Sequence, residues 1–221
     1  LHPMTPAYES SHAPETAMGV HRHAEGYAAL VLNGGYEELT AEGRFACGPG
    51  TLVIHPDWHA HGDAFGSGGA TVLNLPARLS DGFRVLRLSD PAAFERLARQ
   101  RPREAVRAAM EEADCTPPIA PALWLVRLTA LLAEREEVAV EVLARACGVS
   151  PEHAARRCKA WFGLGPVQLR KEKRLQTAIR LLRDGANPAQ AAATAGFSDQ
   201  PHLTRLLKRA TGLTPARMRA V

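Results

Sequence analysis

Gly148-Val149-Ser150-Pro151-Glu152-His153-Ala154-Ala155-Arg156-Arg157-Cys158-Lys159, running on to Gly163-Leu164-Gly165-Pro166, is spelled a second time in this chain. The second copy is Gly196-Phe197-Ser198-Asp199-Gln200-Pro201-His202-Leu203-Thr204-Arg205-Leu206-Leu207-Lys208, running on to Gly212-Leu213-Thr214-Pro215. Gly, Ser, His, Arg, Lys, Gly, Leu and Pro recur in order, at an offset of 48 residues before the cap region and 49 after it, so one residue is inserted just past the Ser. A repeat that keeps its turn and its basic positions points to two similar units with one task.

Each copy reads as helix, turn, helix. Val138 to Cys147 can form a short helix with Val140, Leu143 and Ala146 inward, and Gly148 can take the positive φ of a tight turn. Ser150 then caps the next helix, with Pro151 in its first turn and Glu152 at its positive end. Ala189 to Ala195, Gly196 and Ser198 repeat the pattern, so Ser198 is expected as the second cap. On the later helix Leu203, Leu206 and Leu207 form the apolar side, leaving Gln200, Pro201, Thr204, Arg205, Lys208 and Arg209 toward solvent. On the earlier one Ala154, Cys158 and Phe162 go inward, leaving Glu152, Ala155, Arg156 and Lys159 outside. An Arg one to two turns into such a helix can give two hydrogen bonds to a guanine edge, while Lys and backbone amides neutralise phosphates. A long helix, Val167 to Arg183, joins the copies; Leu169, Leu175, Ala178 and Leu182 are its apolar residues, and Arg170, Lys171, Lys173, Arg174 and Arg180 its basic ones. Its stiffness would set the spacing of two recognition helices along a duplex.

Charge divides the chain at the same place. Residues 138 to 221 carry 15 Lys plus Arg against 5 Asp plus Glu, whereas residues 1 to 137 carry 12 against 18, within a net charge of +4. A basic half beside an acidic one points to a polyanion partner, and the outward faces of the two helices suit the major groove of double-stranded DNA.

Residues 137 to 220 resemble the DNA-binding region of the AraC/XylS family of bacterial transcription regulators, most specifically in Gly196 through Arg205, Lys208, Gly212 to Pro215 and Arg217. The resemblance implies two helix-turn-helix units joined by a helix, with Glu152, Ala155 and Arg156, then Gln200, Pro201, Thr204 and Arg205, where base edges are read. It also implies a promoter or operator as target and RNA polymerase as a contact. Ala154, Ala191 and Ala193 are smaller than the family's usual aliphatics, and Gly165 stands where a capping Ser or Thr is usual. His153 and His202, at equivalent positions, read as packing or phosphate-proximal groups rather than catalytic or metal-binding ones.

Upstream the pattern changes. Residues 1 to 18 are rich in Pro, His, Ser and Ala without periodicity and read as a loose arm. Tyr27 to Leu32, Tyr36 to Thr40, Arg44 to Cys47, Thr51 to Ile54 and Ala70 to Leu75 read as short strands separated by glycine turns such as Gly34-Gly35, which predicts an antiparallel β-barrel or sandwich. After Asp90-Pro91, a helix start, helical spacing takes over, with a second helix over Glu104 to Ala113. Pro121 to Ala133 is apolar on much of its circumference, which either an interdomain core or a second copy of the chain in a homodimer would satisfy.

Seven of nine histidines precede residue 62, and five of them form His21-x-His23 and His55-x-x-x-His59-x-His61. Alternate strand residues share a face, so His21 and His23, and His59 and His61, can present imidazoles to one divalent transition metal such as Zn, Fe or Ni, with His55 facing out. His-x-His, a glycine turn, Pro49-Gly50, an apolar run and Pro56 before His look similar to the cupin barrel, which many AraC-type proteins carry as a sensor. Cupins often place a carboxylate where this chain has Tyr27, with Glu25 closer than the usual spacing. A pocket for an organic ligand, or an empty barrel kept for dimer contact, are the other readings of this half.

The expected fold is thus α+β: a cupin-like sensor over 1–89, a helical linker or dimerisation segment over 90–136, and a double helix-turn-helix domain over 137–221. The expected function is a DNA-binding transcription regulator that senses a small molecule or metal and is not an enzyme; the alternative is a metal-dependent cupin oxygenase or isomerase with a DNA-binding appendage. Cys47, Cys115, Cys147 and Cys158 form no Cys-x-x-Cys pair and read as reduced, mostly buried thiols. With no apolar run of membrane-spanning length and no signal-like N-terminus, a cytoplasmic protein without membrane contact is expected.

Overall fold

A computed structural model describes residues 7–76, 82–135 and 137–220 of the chain. Residues 1–6 of the expected arm, 77–81 of the expected sensor, 136 of the linker and 221 of the last domain lie outside the described residues. The chain divides into two compact units, residues 1–120 and 121–221.

Among the described residues the first unit holds an antiparallel sheet of eight strands: β1 (Tyr8–His12), β2 (Ala17–Arg22), β3 (Tyr27–Thr40), β4 (Arg44–Cys47), β5 (Thr51–His55), β6 (Ala60–Pro76), β7 (Arg84–Arg87) and β8 (Asp114–Cys115). Two long strands, β3 and β6, pair along their length; β1 and β2 flank β6, while β4 and β5 flank β3, and β7 and β8 extend from β5. Period-two alternation sorts the side chains. Ala28, Leu30, Leu52, Ile54, Leu73, Leu75 and Leu86 turn to one face, where Phe94 and Ala98 of α1 (Pro91–Gln100) and Ala105, Val106 and Ala109 of α2 (Pro102–Glu112) cover them. Their neighbours Ala29, Val31, Val53, Val72 and Val85 turn to the other face and meet Tyr36, Phe45 and Phe65. Each large aliphatic side chain so buried contributes roughly 1.5–3 kcal/mol.

Gly34 and Gly69 bend the sheet so that its inner face encloses side chains. Gly34 has φ +70° and Gly69 φ +62°, and a Cβ on Gly34 would stand 2.1 Å from the Gly69 carbonyl oxygen. Gly34-Gly35 is therefore a bulge inside one continuous strand rather than the expected turn, because a positive φ kinks β3 while its pairing with β6 continues from Tyr36↔Phe65 onward. Ala70 to Leu75 is likewise one end of the 17-residue β6.

Two further expectations change. The segment read as a loose arm holds β1 and the first two residues of β2, strands that are largely exposed and held by ladder pairing to β6, so no apolar alternation marks them. The expected linker is divided: α1 and α2 complete the core of the first unit, and α3 (Leu123–Glu134) belongs to the second. Cys47 and Cys158 are buried and Cys147 partly so, but Cys115, on the short edge strand β8, is exposed.

The second unit is all helical: α3, α4 (Val140–Ala146), α5 (Pro151–Phe162), α6 (Pro166–Arg183), α7 (Pro188–Thr194), α8 (Gln200–Thr211) and α9 (Pro215–Met218). Leu125, Leu128 and Leu132 of α3 are buried, whereas Leu123 and Val126 are exposed, so one stripe of the helix enters the core. Within α6, Leu169, Leu175, Ala178 and Leu182 are buried as expected. Arg170, one of the basic residues of this helix, is partly buried and its Nη1 donates to the Val138 carbonyl at 2.9 Å, tying α6 to the approach to α4. Among the described residues no helix is long and apolar enough to cross a membrane.

Candidate nucleic-acid interface and histidine centre

The two helices after the turns are built alike. Gly148 (φ +77°) and Gly196 (φ +74°) make the turns, and Gly163 and Gly212, both left-handed, stop α5 and α8. Ser150 Oγ accepts the His153 N–H at 3.1 Å, as expected. In the later copy the cap is Asp199 instead of Ser198: Asp199 Oδ1 accepts the His202 N–H at 2.6 Å. The inserted residue moves the capping role one place along, and Ser198 Oγ turns to His202 Nδ1 at 3.1 Å. Asp199→Ala is therefore expected to cost about 1 kcal/mol, the usual worth of an N-cap, and Ser198→Ala less than half of that. Urea unfolding of the full chain measures both; the reverse order would contradict the cap assignment.

Glu152, Ala155, Arg156 and Lys159 on α5, and Gln200, Pro201, Arg205, Lys208 and Arg209 on α8, are all exposed. Thr204 is half-buried, and its hydroxyl donates to the Gln200 carbonyl at 2.9 Å. Two candidates on α5 are engaged within the chain: Lys159 Nζ donates to the Gly163 carbonyl at 2.8 Å, and Arg156 Nη2 approaches His153 Nδ1 at 3.4 Å. His153 also packs against Trp124, ring centroids 5.2 Å apart, and His202 meets Phe197 edge-on at 5.3 Å, so both histidines serve packing. Arg205, Lys208 and Arg209 have side chains without a hydrogen bond or ion pair among the described residues. Ala154 and Ala191 are fully buried, whereas Ala193 is exposed and leaves no gap in the core. At Gly165, which has no side chain to cap α6, Gln168 Oε1 accepts the Gly165 N–H at 3.2 Å.

In the first unit the histidines converge on the inner face. His21 and His61 are register partners on β2 and β6, and His23 lies just past the end of β2. His21 Nε2 and His23 Nε2 are 3.1 Å apart, and Tyr27 Oη and His61 Nε2 3.0 Å apart. The loop before β6 is tied to the His21-x-His23 segment by Trp58 N–H to the His23 carbonyl at 2.8 Å and by Arg22 to the Trp58 carbonyl at 2.7 Å. Trp58 itself has φ +63°, a conformation that L side chains rarely adopt and that the surrounding bonds enforce.

The ligand atoms form two overlapping groups, His21 with His23 and His61, and His55 with His59 and His61, each within 4.8 Å. His21, His23, His59 and His61 thus fall into two sets that share His61. His55 does not face out: it is 2% exposed, stacks on Tyr27 and lies 4.1 Å from the His61 ring, because β5 runs into the cluster where Pro56 and Asp57 begin the loop. Burial, followed by repulsion from neighbouring histidines, lowers His61 to about 2 and His55 well below the ordinary imidazole value, so both rings are neutral; His61 meets Tyr27 Oη through Nε2 and the His59 carbonyl through Nδ1 at 3.4 Å. Beside them Glu38 and Asp63, register partners on β3 and β6, are buried. Burial, then Asp63, pushes Glu38 well above the usual carboxylate range, and burial pushes Asp63 up to about 6. Neither residue stands in a motif, so the pair is invisible before the strands are aligned.

A cavity of about 350 Å³ opens beside the outer histidines, lined by Tyr8, His12, His21, His23, Phe65 and Asn74 among others. Its walls are mostly apolar with a few convergent polar groups, as in small-molecule sites.

Residues 143–220 match the family model of a helix-turn-helix domain. No curated protein matches the chain. Among solved structures, an AraC-type transcriptional regulator from Chromobacterium violaceum is 27% identical over 44% of this chain and 89% of that one, with a TM-score of 0.39. ToxT from Vibrio cholerae is 7% identical over 98% of both chains, with a TM-score of 0.45. The C-terminal domain of AraT, a response regulator from Geobacillus stearothermophilus, is 21% identical over 45% of this chain and 85% of that one, with a TM-score of 0.41.

Proposed function

We propose that this chain, which carries an AraC-type helix-turn-helix domain and is thereby a DNA-binding transcription regulator, reads its operator mainly through α8 and adjusts its grip through α5. The difference in side-chain freedom carries this reading. On α8 the exposed Arg205, Lys208 and Arg209 are free of intramolecular partners among the described residues, whereas Arg156 and Lys159 on α5 are engaged before any DNA arrives. Binding through α5 must break those contacts, and binding through α8 need not. Arg205→Ala is expected to weaken binding to a duplex selected from a random pool by about 10- to 100-fold and to relax preference at one base position, as loss of a bidentate Arg does. Anisotropy titrations measure this; an unchanged affinity in a folded variant would refute the assignment.

The sheet unit is the sensor in this reading. Its cavity takes a small molecule, and the effector acts by binding the DNA-competent arrangement more tightly than the alternative. His21, His23 and His61 suit a transition-metal dication at the cavity wall, since two nitrogens about 2.0–2.1 Å from one ion stand close to the 3.1 Å seen between His21 and His23. Such an ion would supply a positive anchor for an effector's polar end. Tyr27 occupies the place of the coordinating carboxylate that a cupin enzyme would use, and its hydroxyl engages His61, which favours sensing over catalysis. Full-length protein purified without an affinity tag is expected to carry metal that a His21→Ala, His23→Ala variant loses in part; equal metal content by elemental analysis would remove the outer metal site.

A further inference from the structure

Two histidines at matching places hold different partners in the two helix-turn-helix units. His153 and His202 each sit in the first turn of a recognition helix, three residues before an exposed arginine, Arg156 or Arg205. Residues three apart on a helix are surface neighbours, so each ring is within reach of its arginine. Yet Arg156 is held and Arg205 is not: Arg156 Nη2 lies 3.4 Å from His153 Nδ1, whereas the Arg205 side chain makes no hydrogen bond among the described residues.

The caps account for the difference. In the earlier helix Ser150 is itself the cap, and its hydroxyl accepts the His153 backbone N–H at 3.1 Å. In the later helix Asp199 caps instead, which leaves the Ser198 hydroxyl to meet His202 Nδ1 at 3.1 Å. Whether that nitrogen gives or takes the serine's hydrogen bond, it has no second lone pair for a guanidinium. His153 Nδ1 has no such serine, and Arg156 takes its lone pair.

The His153 ring is also fixed from outside its own helix. Trp124, on α3, packs against it with ring centroids 5.2 Å apart and planes tilted by 55°. Leu125 and Leu128 are buried, so they hold α3 in the core and the indole against the ring. His202 instead meets Phe197, a residue of its own turn. The earlier ring thus takes its place from another helix, and the later one from its neighbours in sequence.

We propose that His153 is a positioning residue that withholds the Arg156 guanidinium from DNA, and that Trp124 on α3 holds the ring that does so. The inference rests on α5 as a DNA-contacting helix. An arginine bonded in the free protein must give up that bond to reach a guanine edge, so its net share of binding falls by the strength of the bond. Ser198 lifts the same restraint from Arg205. One residue inserted ahead of a cap makes one arginine ready and leaves the other dependent on α3.

The test is a set of double-mutant cycles in the full chain, on a duplex selected from a random pool by the wild type, read by anisotropy and by substituting each base pair in turn. His153→Phe keeps a ring against Trp124 and removes the acceptor. It is expected to tighten binding by about 2- to 10-fold, the worth of one hydrogen bond, and to sharpen preference at the base pair that Arg156 reads. Trp124→Leu is expected to act in the same direction and less strongly. Both effects should vanish in an Arg156→Ala background, which a merely structural role would not produce. Unchanged or weaker binding by folded His153→Phe, or the same gain with and without Arg156, would overturn the restraint, and a silent Trp124→Leu would overturn the part assigned to α3. Wild-type affinity and base preference in Arg156→Ala would overturn the reading of α5 and the restraint together, so the two failures are told apart.

Discussion

Raising monovalent salt from 50 to 200 mM is expected to weaken binding of the full chain to its selected duplex by about 1,000-fold. The second unit exposes Arg156, Arg157, Lys159, Lys171, Arg180, Arg205, Lys208, Arg209, Arg217 and Arg219, and only some of these can reach base edges. The rest neutralise phosphates and release counterions, and about six such contacts give a loss of this size across a fourfold change in salt. Anisotropy titrations at the two salt concentrations check it. A loss below about tenfold would mean fewer than two phosphates engaged, and would be incompatible with two helices gripping one duplex. Lys208→Ala is the internal control, reducing the salt slope by about one while leaving base preference intact.

Gly34→Ala should destabilise the sheet unit by about 3 kcal/mol or more. Two effects add at this position: the left-handed backbone at φ +70° and a Cβ placed 2.1 Å from the Gly69 carbonyl oxygen, a backbone atom that cannot swing aside. At this size of unit the loss corresponds to a fall of roughly 10–20 °C in Tm, measured by thermal unfolding of the full chain. Gly48→Ala is the control, since a Cβ there meets nothing within 4 Å. Equal melting of the two variants would show that β3 is not pinned at Gly34. Because Gly34 sits in the sheet unit, the helical unit of the variant should still bind DNA.

The helical unit was legible because its signals are local. A turn glycine, a capping side chain and a leucine stripe each lie within one or two turns of the helix they define, and Leu203 and Leu207 are buried where the spacing placed them. Ser198 was expected where Asp199 caps because both residues can cap and only the helix start decides between them, and Ala146, expected inward on α4, is exposed while Ala144 is buried in its stead. The sheet unit was legible in class and less so in detail. Strands β1 and β2 bury little and carry no alternation, and Gly34 reads as a turn unless its partner Gly69, far along the chain, is known to face it. His55 was turned the wrong way for a related reason: its side is set by pairing of β5 with β3, a long-range fact. The Glu38 and Asp63 pair lies 25 positions apart and becomes visible only across β3 and β6.

The two recognition helices are each 12 residues long, start at a side-chain cap and stop at a left-handed glycine. From His153 and His202 onward, Arg156 matches Arg205, Lys159 matches Lys208 and Gly163 matches Gly212 at one constant offset, so the extra residue of the later copy is absorbed ahead of the cap. The one-residue difference in the turn therefore leaves the basic positions of each helix at the same angle to its own cap, so the two helices keep one phase despite turns of unequal length.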